Sequence, residues 1–266
     1  MKAFKAWPVW VLLAWLLAAF ASALIDFQPN IIHLNQILAG PSWQHPFGFD
    51  DLGRDILPRL LVGAQVSFLV VLVVTLITAS MGISLGLVSG YFGGWVDRLL
   101  MQITDVFLAF PGILLAIAFA AVLGAGLGNL ILALCFTSWV GYARLTRAQA
   151  LSLRQRQHVI AAESLGASVW RLMFKHMLPL LAAPLLVEAT YSMANLVIAE
   201  ASLSFLGLGI QAPNASWGAM LRDGVRYMLV APHYVLAVGL SLMSLVLAVN
   251  VLGDQLRDCL EVRGEK

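Results

Sequence analysis

Long apolar stretches alternate with shorter polar segments along almost the whole chain. Six of these stretches have the length of a transmembrane helix, which needs roughly 20 residues to cross about 30 Å of hydrocarbon. They lie at about residues 7–25, 66–89, 99–123, 127–143, 180–205 and 234–252. The pattern predicts an all-α, polytopic membrane protein with about six transmembrane helices. No internal repeat or linker divides the sequence, so we expect residues 1–266 to form one transmembrane domain.

Composition supports the lipid bilayer as the environment of the chain. The sequence is 61% hydrophobic and only 11% charged, whereas soluble proteins average about 25% charged residues. A formal net charge of +2 and the lack of a basic aromatic groove argue against nucleic-acid binding. The two cysteines, Cys135 and Cys259, lie where no disulfide framework is expected.

The most polar part of the chain, residues 144–179, separates the fourth predicted span from the fifth. It carries six basic residues and one acid, and basic loops between spans lie on the cytoplasmic side of a membrane. Val159, Ala162 and Leu165 form an apolar stripe at helical spacing within it. The segment is therefore predicted to hold a short helix that lies across the membrane surface and meets a soluble partner.

The distribution of Lys and Arg predicts which segments are cytoplasmic. With an inner N-terminus, twelve of the sixteen basic residues fall inside and four outside. The inner set is Lys2, Lys5, Arg98, Arg144, Arg147, Arg154, Arg156, Arg171, Lys175, Arg257, Arg263 and Lys266, and the outer set is Arg54, Arg59, Arg222 and Arg226. Both termini are then cytoplasmic, as the positive-inside rule requires. The run Ala21-Ser22-Ala23 imitates a signal-peptidase site, but the apolar run before it is long, so we expect the first span to be retained.

Ionisable residues inside predicted spans are costly and mark candidate functional positions. Glu188, Tyr191, Ser192 and Asn195 form one polar stripe on the fifth span, with Glu200 about 120° around the helix. The stripe faces either a solute pathway or a partner helix, because polar side chains also join helices in membranes. On the third span, the spacing of Arg98, Gln102 and Asp105 predicts a contact between the first and last of them.

No motif for chemistry accompanies these residues. The sequence has no phosphate-binding G-x-x-x-x-G-K-[ST] loop, no H-E-x-x-H and no G-x-S-x-G elbow, and its five histidines do not cluster. No catalytic residue, metal site or cofactor is predicted. Energy for uphill transport would have to come from another subunit.

The polar segment also matches a known pattern. From Ala161-Ala162 through Gly166 to Pro179, its spacing resembles the loop by which bacterial ABC importer permeases engage their ATPases. The family has Glu-Ala-Ala where this chain has Ile160-Ala161-Ala162. The resemblance implies that an ATPase-coupling helix lies between the fourth and fifth spans. The residues it assigns to coupling are Ile160, Ala161, Ala162, Glu163, Gly166, Ala167 and Pro179.

Four further segments resemble the dipeptide/oligopeptide/nickel branch of these importers. They are residues 45–55, residues 90–97 followed by Asp105 and Phe110-Pro111, residues 204–209, and residues 250–258. The motif residues within them are Gly53, Arg54, Asp55, Gly93, Asp97, Asp105, Gly207, Gly209, Gly253, Asp254, Arg257 and Asp258. We expect Gly90, Gly93 and Gly94 to make a tight turn, and Gly207 and Gly209 to close the fifth span.

The resemblance implies a permease subunit in a bacterial inner membrane. Its expected partners are a homologous second permease subunit, two cytoplasmic ABC ATPase subunits and an extracytoplasmic solute-binding protein. Short peptides are the expected solutes, and nickel or a metal chelate is the alternative. An ion-coupled secondary transporter, using Glu188, Glu200 and Asp105, is the competing class, and an intramembrane enzyme is a second.

Labelling with an impermeant thiol reagent tests the predicted topology. In a chain whose two native cysteines are replaced, Asn214→Cys should react in intact cells and Ser152→Cys only after the membrane is opened. The reason is that twelve of sixteen basic residues fall on the side of residue 152. The reverse labelling pattern would invert the topology.

Overall fold

The computed structural model of the protein describes residues 6–25 and 27–264, and regular structure in this part of the chain is helical. A single antiparallel bridge joins Phe49 to Asp55. The helices are α1 Trp7–Leu24, α2 Ile56–Phe92, α3 Gly94–Leu108, α4 Gly112–Leu123, α5 Leu127–Ser138, α6 Val140–Arg154, α7 Gln157–Ser164, α8 Val169–Phe205, α9 Trp217–Val225 and α10 Pro232–Gly264, with a 3₁₀ turn at Leu34–Gln36. The predicted all-α class is confirmed.

Three helices are long and apolar enough to cross a membrane. They are Ile56–Phe92, Val169–Phe205 and the Pro232–Leu260 part of α10. A fourth candidate is the pair α3 and α4, and the apolar part of α1 is shorter. The described helices thus give three or four candidate spans, and the count of six stays a prediction. Lys2, Lys5 and Lys266, used in the topology argument, lie outside the described residues.

The predicted third span, residues 99–123, is wrong as a single straight helix. Helices α3 and α4 meet at an angle of 84° across a break of a few residues. The break holds Phe110-Pro111. Proline lacks the N–H that a continuing helix needs and disfavours helical backbone in the residue before it, so the helix ends at Leu108.

Other span boundaries also differ from the prediction. The fourth span, predicted at 127–143, is divided at Trp139, whose indole N–H donates to the Phe136 carbonyl at 3.0 Å. The second and fifth spans lie inside much longer helices of 37 residues each, α2 and α8. Residues 169–179, predicted to belong to the polar loop, are therefore the beginning of α8.

The chain forms two compact units. The first unit comprises the residues up to Val74, Ile117–Leu134 and Met193–Leu252. The second comprises Thr75–Ala116, Cys135–Ser192 and the residues from Gly253 onward. Several helices, α2 and α8 among them, contribute residues to both. The prediction of a single domain is not tested by this division.

Trp217 organises part of the first unit. The indole is fully buried at the beginning of α9, donates to the Leu60 carbonyl at 3.0 Å, and packs edge-on against Trp15 with ring centroids 5.0 Å apart. Gly63 leaves the space for the indole, and Gly218 leaves the space for Ala201 and Ser204 to approach α9. Trp217 is thus a core residue of the first unit.

The second unit depends on a close contact between α2 and α6. Gly82, Gly86 and Gly90 recur every fourth residue on α2 and face the backbone of α6. A Cβ at Gly86 would lie 2.5 Å from the Ala143 carbonyl oxygen and 2.6 Å from Thr146 Cβ. Small residues at this spacing let membrane helices approach closely. Gly90 is therefore a packing residue inside α2, and its predicted place in a turn is wrong.

Replacing Gly86 with alanine should destabilise the protein. Alanine favours a helix over glycine by roughly 0.5–1 kcal/mol, but overpacking against a backbone costs about 1–3 kcal/mol. Gly239→Ala is the matched control, because a Cβ there meets nothing within 4 Å on α10. Thermal unfolding of the purified variants should show a lower midpoint for Gly86→Ala alone. Equal midpoints would mean that α2 and α6 have room to separate.

Candidate coupling surface and solute cavity

Helix α7, the predicted coupling helix, is seated on the core of the second unit. Val159 is fully buried in a cluster that includes Tyr91, Leu153, Leu172 and Met173, and Ala162 packs against the same cluster. Leu165, the third member of the predicted apolar stripe, is 89% exposed. The stripe therefore divides: its first two residues fix the helix to its own subunit, and Leu165 lies on the exposed side.

Gly166 ends this helix and sets its position. Helix α7 stops at Ser164, and Gly166 has a φ of 79°, in the left-handed region that favours glycine. The Gly166 N–H donates to the Glu163 carbonyl at 2.9 Å, and the Ala167 N–H to the Ala162 carbonyl at 3.1 Å. These two bonds form a Schellman cap. The spacing from Ala162 to Gly166 is therefore that of a helix end, with α7 stopping at Ser164.

Apolar side chains surround the outward face of α7. Ile160 is 49% exposed and Trp170 is 64% exposed, and Trp170 stacks on Phe174 with ring centroids 6.0 Å apart. Together with Leu165, these residues form an exposed apolar surface on the second unit, which we call the coupling surface. An exposed group of large apolar residues marks a site for a partner or for lipid.

The one acid of α7 is directed at its own subunit. Glu163 interacts with the hydroxyl of Tyr91, and the guanidinium of Arg154 lies 5.4 Å from the centre of the Tyr91 ring. Tyr91 stands at the end of α2 and is buried. Glu163 thus lies on an exposed part of α7 close to the end of α2.

Arg147 and Asp97 join α6 to α3. Asp97 accepts from Arg147 Nη2 at 2.6 Å, from Arg147 Nε, and from Ser89 Oγ at 2.5 Å. Gly93 and Gly94, both with positive φ, make the turn that brings α3 to this position, as expected of them. The predicted contact between Arg98 and Asp105 is wrong. Both residues lie in the described part of the chain, no ion pair joins them, and Asp105 is exposed.

Pro179 lies within α8, directly after a π-helical turn at Leu172–Met177. Proline cannot donate the backbone hydrogen bond of a regular helix and clashes with the carbonyl four residues earlier. A local π turn is one way in which a helix accommodates such a residue. Pro179 itself is exposed and lies on α8, not on α7.

A cavity of about 490 Å³ lies wholly inside the second unit, among α6, α8 and the end of α10. Glu188 and Tyr191 line it, as do Gln149 and Arg257, and the remaining lining is apolar. Ser192 and Asn195, from the same predicted stripe, are not among the described lining residues. The structure therefore brings two members of the stripe to one cavity and leaves two outside it.

The motif near the C-terminus packs against this cavity. Gly253 faces Thr190, where a Cβ would lie 2.6 Å from the Thr190 hydroxyl, so glycine permits α10 to approach α8. One residue on, Asp254 accepts a hydrogen bond of 2.6 Å from the Tyr191 hydroxyl. Arg257, one helical turn from Gly253, lines the cavity, and Asp258 is exposed on the same helix.

Glu200 belongs to the first unit and is completely buried. Its carboxylate accepts from the Ser67 hydroxyl at 2.9 Å and from the Ser204 hydroxyl at 3.0 Å. The sequence left open whether Glu200 lines a pathway or packs against a neighbouring helix. Both of its carboxylate oxygens have partners inside the unit, and this favours packing.

The first motif segment forms a buried charge network. Asp50 is completely buried and accepts from Arg54 Nε at 2.7 Å, and Arg59 Nε lies 3.4 Å from the same oxygen. Gly53 makes the turn with a φ of 71°, and Asp55 caps α2 by accepting from the Leu57 N–H at 3.0 Å. Burial and the carboxylates of Asp50 and Asp223 raise the pKa of Asp51.

Gly207 ends a helix in the same way as Gly166. It follows α8 with a φ of 81°, and the Leu208 N–H donates to the Leu203 carbonyl at 2.9 Å. Gly209 packs against Ser204, and its carbonyl accepts from the Gly126 N–H at 3.0 Å. The expectation that these glycines close the fifth span agrees with this geometry.

Sequence reasoning missed several residues that build these sites. Gly82, Gly86, Tyr91 and Arg147 were not assigned individual roles, although the spacing of four between Gly82, Gly86 and Gly90 is a readable signal. Nothing in the sequence indicates which acid Arg147 contacts, because the two residues are 50 positions apart.

The long apolar helices, the exposed coupling surface and the cavity between α6, α8 and α10 are the features of a helical membrane permease. Residues 82–262 match the family described as the inner membrane component of binding-protein-dependent transport systems, and the chain belongs to this family. It is an inner-membrane protein of a binding-protein-dependent transporter.

Individual relatives agree with this assignment. The chain is 41% identical to the glutathione transport system permease protein GsiD of Pectobacterium atrosepticum and 44% identical to that of Escherichia coli O6:K15:H31. Each match extends over 254 residues, 95% of this chain and 84% of the relative. A solved structure described as an inward-facing conformation of the MetNI methionine ABC transporter shares the fold, with a TM-score of 0.61 and 19% identity over 75% of this chain and 95% of that one.

Glu188→Gln tests the role of the polar stripe. If Glu188 lines a solute pathway, the variant should assemble normally and show altered uptake, because the cavity loses its carboxylate charge. If Glu188 only joins helices, the variant should instead associate less with its partner permease. Uptake and subunit co-purification are the two measurements, with Asp105→Asn as a control that removes an exposed carboxylate outside the cavity. Unchanged values for both would remove Glu188 from the pathway.

Proposed function

We propose that the chain is the permease subunit of an ATP-driven ABC importer and forms half of the pathway for glutathione or other short peptides. It would act with a homologous second permease subunit, two cytoplasmic ATPase subunits and an extracytoplasmic solute-binding protein. The observation that carries this proposal is the coupling surface, in a chain that belongs to the binding-protein-dependent transport family.

The construction of α7 suits it to transmit force. Its inner face is fixed by Val159 and Ala162 in the core, its end is fixed by the Gly166 cap, and its acid contacts α2. A helix anchored in this way cannot move without the helices beneath it, because packed interiors transmit strain. Closure of an ATPase pair against the coupling surface would therefore move α6, α8 and α2 and reopen the pathway toward the outside.

The chemistry of the coupling surface indicates which kind of ATPase surface would bind it. Ile160 replaces the leading acid of the family pattern, and Glu163 is engaged by Tyr91. Arg156, Arg171 and Lys175 stand near α7 in sequence and are exposed. We expect an apolar groove in the ATPase, rimmed by carboxylates that complement these cations.

The similar proteins favour peptides over metal as the solute. Both GsiD relatives are named for glutathione transport, and glutathione is itself a tripeptide. The comparisons lend no support to the nickel alternative or to the ion-coupled alternative. No group of His, Cys, Asp or Glu in the described residues is arranged to hold a metal ion.

The proposed orientation places both termini and the segment from residue 144 to 178 on the cytoplasmic side. Residues 26–60 and 208–232 would then face the solute-binding protein. The support is the distribution of basic residues, with twelve on the inner side and four on the outer side.

Reconstitution tests the proposed function directly. The chain, its partner permease and the ATPases are placed in vesicles with the solute-binding protein, and uptake of radiolabelled glutathione is measured with and without ATP. Uptake that requires both ATP and the binding protein supports the proposal. If the ligand found in the purified binding protein by mass spectrometry is a metal ion, the peptide assignment fails.

Gly166→Asp tests the coupling surface. A Cβ at Gly166 meets nothing within 4 Å, so the side chain projects outward and its charge enters the contact. We expect solute-stimulated ATPase activity and uptake to fall at least tenfold, since an unpaired charge in an interface costs several kcal/mol. Asn tolerates the left-handed backbone about as well as Asp and carries no charge, so Gly166→Asn is the matched control.

Comparison of the two variants distinguishes the effect of the added charge from the effect of backbone strain. Greater loss with Asp than with Asn supports a buried contact at this position. Equal loss in both would assign the effect to the helix cap, and normal coupling in a stably inserted Gly166→Asp protein would disprove the docking of α7.

A further inference from the structure

Gly93 and Gly94 form a hinge between α2 and α3. Their φ angles are 63° and 60°, in the left-handed region that favours glycine, and a Cβ at either position would meet no heavy atom within 4 Å. The space around this turn is open, and glycine allows its backbone to adopt more than one conformation. The direction of α3 therefore depends on what the side chains of α3 contact.

An ion pair fixes the beginning of α3. Asp97 accepts from Arg147 Nη2 of α6 at 2.6 Å, from Arg147 Nε, and from the Ser89 hydroxyl of α2 at 2.5 Å. The Arg147 and Asp97 side chains are 32% and 16% exposed, so water can replace each partner when the pair opens. The Asp50 and Arg54 side chains are only 0% and 7% exposed, and opening their pair would leave two buried charges unpaired.

Apolar contacts hold the other end of α3. The centre of the Phe107 ring lies 5.3 Å from that of the Phe136 ring of α5 and 5.4 Å from that of the Trp139 ring. Hydrophobic burial has no preferred direction, so these contacts permit α3 to turn about this end. An ion pair is directional, because a guanidinium fork binds a carboxylate in one plane. The Asp97–Arg147 pair is thus a contact that selects one orientation of α3.

The ion pair is connected to the coupling helix through α6 and the end of α2. Arg154 stands two helical turns after Arg147 on α6, and its guanidinium lies 5.4 Å from the centre of the Tyr91 ring. Tyr91 is two residues before the hinge and shares a buried cluster with Val159 of α7. A displacement of α7 by a partner therefore reaches the hinge and the helix that carries Arg147, because packed interiors transmit strain.

We propose that the Asp97–Arg147 pair is a latch, which holds α3 against α6 in the resting subunit and opens about the Gly93–Gly94 hinge in each transport cycle. The latch rests on the proposed function, because it takes force from an ATPase at the coupling surface as given. Closure of the ATPases would have to break the ion pair. Removal of the pair should therefore make closure easier, and a latch that cannot open should stop transport.

Asp97→Asn tests the first consequence. The amide keeps the size of the side chain and loses the charge that binds Arg147. In the complete complex in vesicles, ATP hydrolysis without solute should rise about threefold, because a partly exposed ion pair shifts an equilibrium by a factor of roughly two to five. Arg98→Gln, which removes an exposed charge from the next position of α3, is the matched control and should leave this rate unchanged. A purely structural role would lower the yield of assembled complex without raising the rate, and this result would overturn the latch.

A reversible covalent bridge tests the second consequence. Cys135 and Cys259 are replaced by serine, and Asp97→Cys and Arg147→Cys are joined by a bifunctional methanethiosulfonate reagent with a short spacer. Uptake of radiolabelled glutathione should continue before bridging and fall at least about tenfold after it, because a subunit locked in one state cannot shift its population. Uptake should return when dithiothreitol cleaves the bridge. Each single-cysteine protein treated with the same reagent should keep its uptake.

Normal uptake in the bridged protein would disprove the latch, because the two helices would then stay together through the whole cycle. Loss of uptake before bridging would disprove it as well, since the pair would then have a purely structural role. Co-purification with the ATPases and mass spectrometry of the bridged peptides establish that each variant is assembled and bridged. A parent complex without ATP-dependent uptake would refute the proposed function instead, so the two failures are distinguishable.

Discussion

The backbone contact between α2 and α6 is the constraint on which the second unit depends. Three glycines at a spacing of four remove the side chains that would hold these helices apart. Once the helices touch, Arg147 reaches Asp97 on α3, and Arg154 lies over Tyr91 at the end of α2. Tyr91 in turn contacts Glu163 of the coupling helix. A sequence feature inside an apolar helix thus positions the polar segment that is proposed to meet the ATPase.

Features encoded within a few neighbouring residues could be predicted from the sequence. Apolar runs identify α2, α8 and α10, because length and hydropathy suffice for such helices. The position of α7 followed from the family spacing, and the glycines at 166 and 207 are explained by one rule for helix ends. The Gly53 turn and the Asp55 cap are also local, since each depends on residues within a few positions.

Features that depend on distant residues could not be predicted. The carboxylate that Arg147 binds, the burial of Trp217 and the burial of Glu200 are decided by helices far apart in sequence. The error over Gly90 has the same origin: a glycine in a turn and a glycine in a helix contact look alike until the facing helix is known. For Phe110-Pro111 the local signal was present, and the apolar run around it concealed the 84° bend.

The surroundings of the carboxylates distinguish structural positions from a candidate pathway position. Asp50, Asp97 and Glu200 each accept at least two side-chain contacts, which offset the cost of removing a charge from water. Such residues fix helices and are poor candidates for contact with a moving solute, because a solute would have to displace their partners. The Glu188 side chain lines a cavity, whereas the other three carboxylates have side-chain partners. In a transporter, a group that must bind and release a passing ligand has to be left unsatisfied by the protein, and the position of Glu188 meets this requirement.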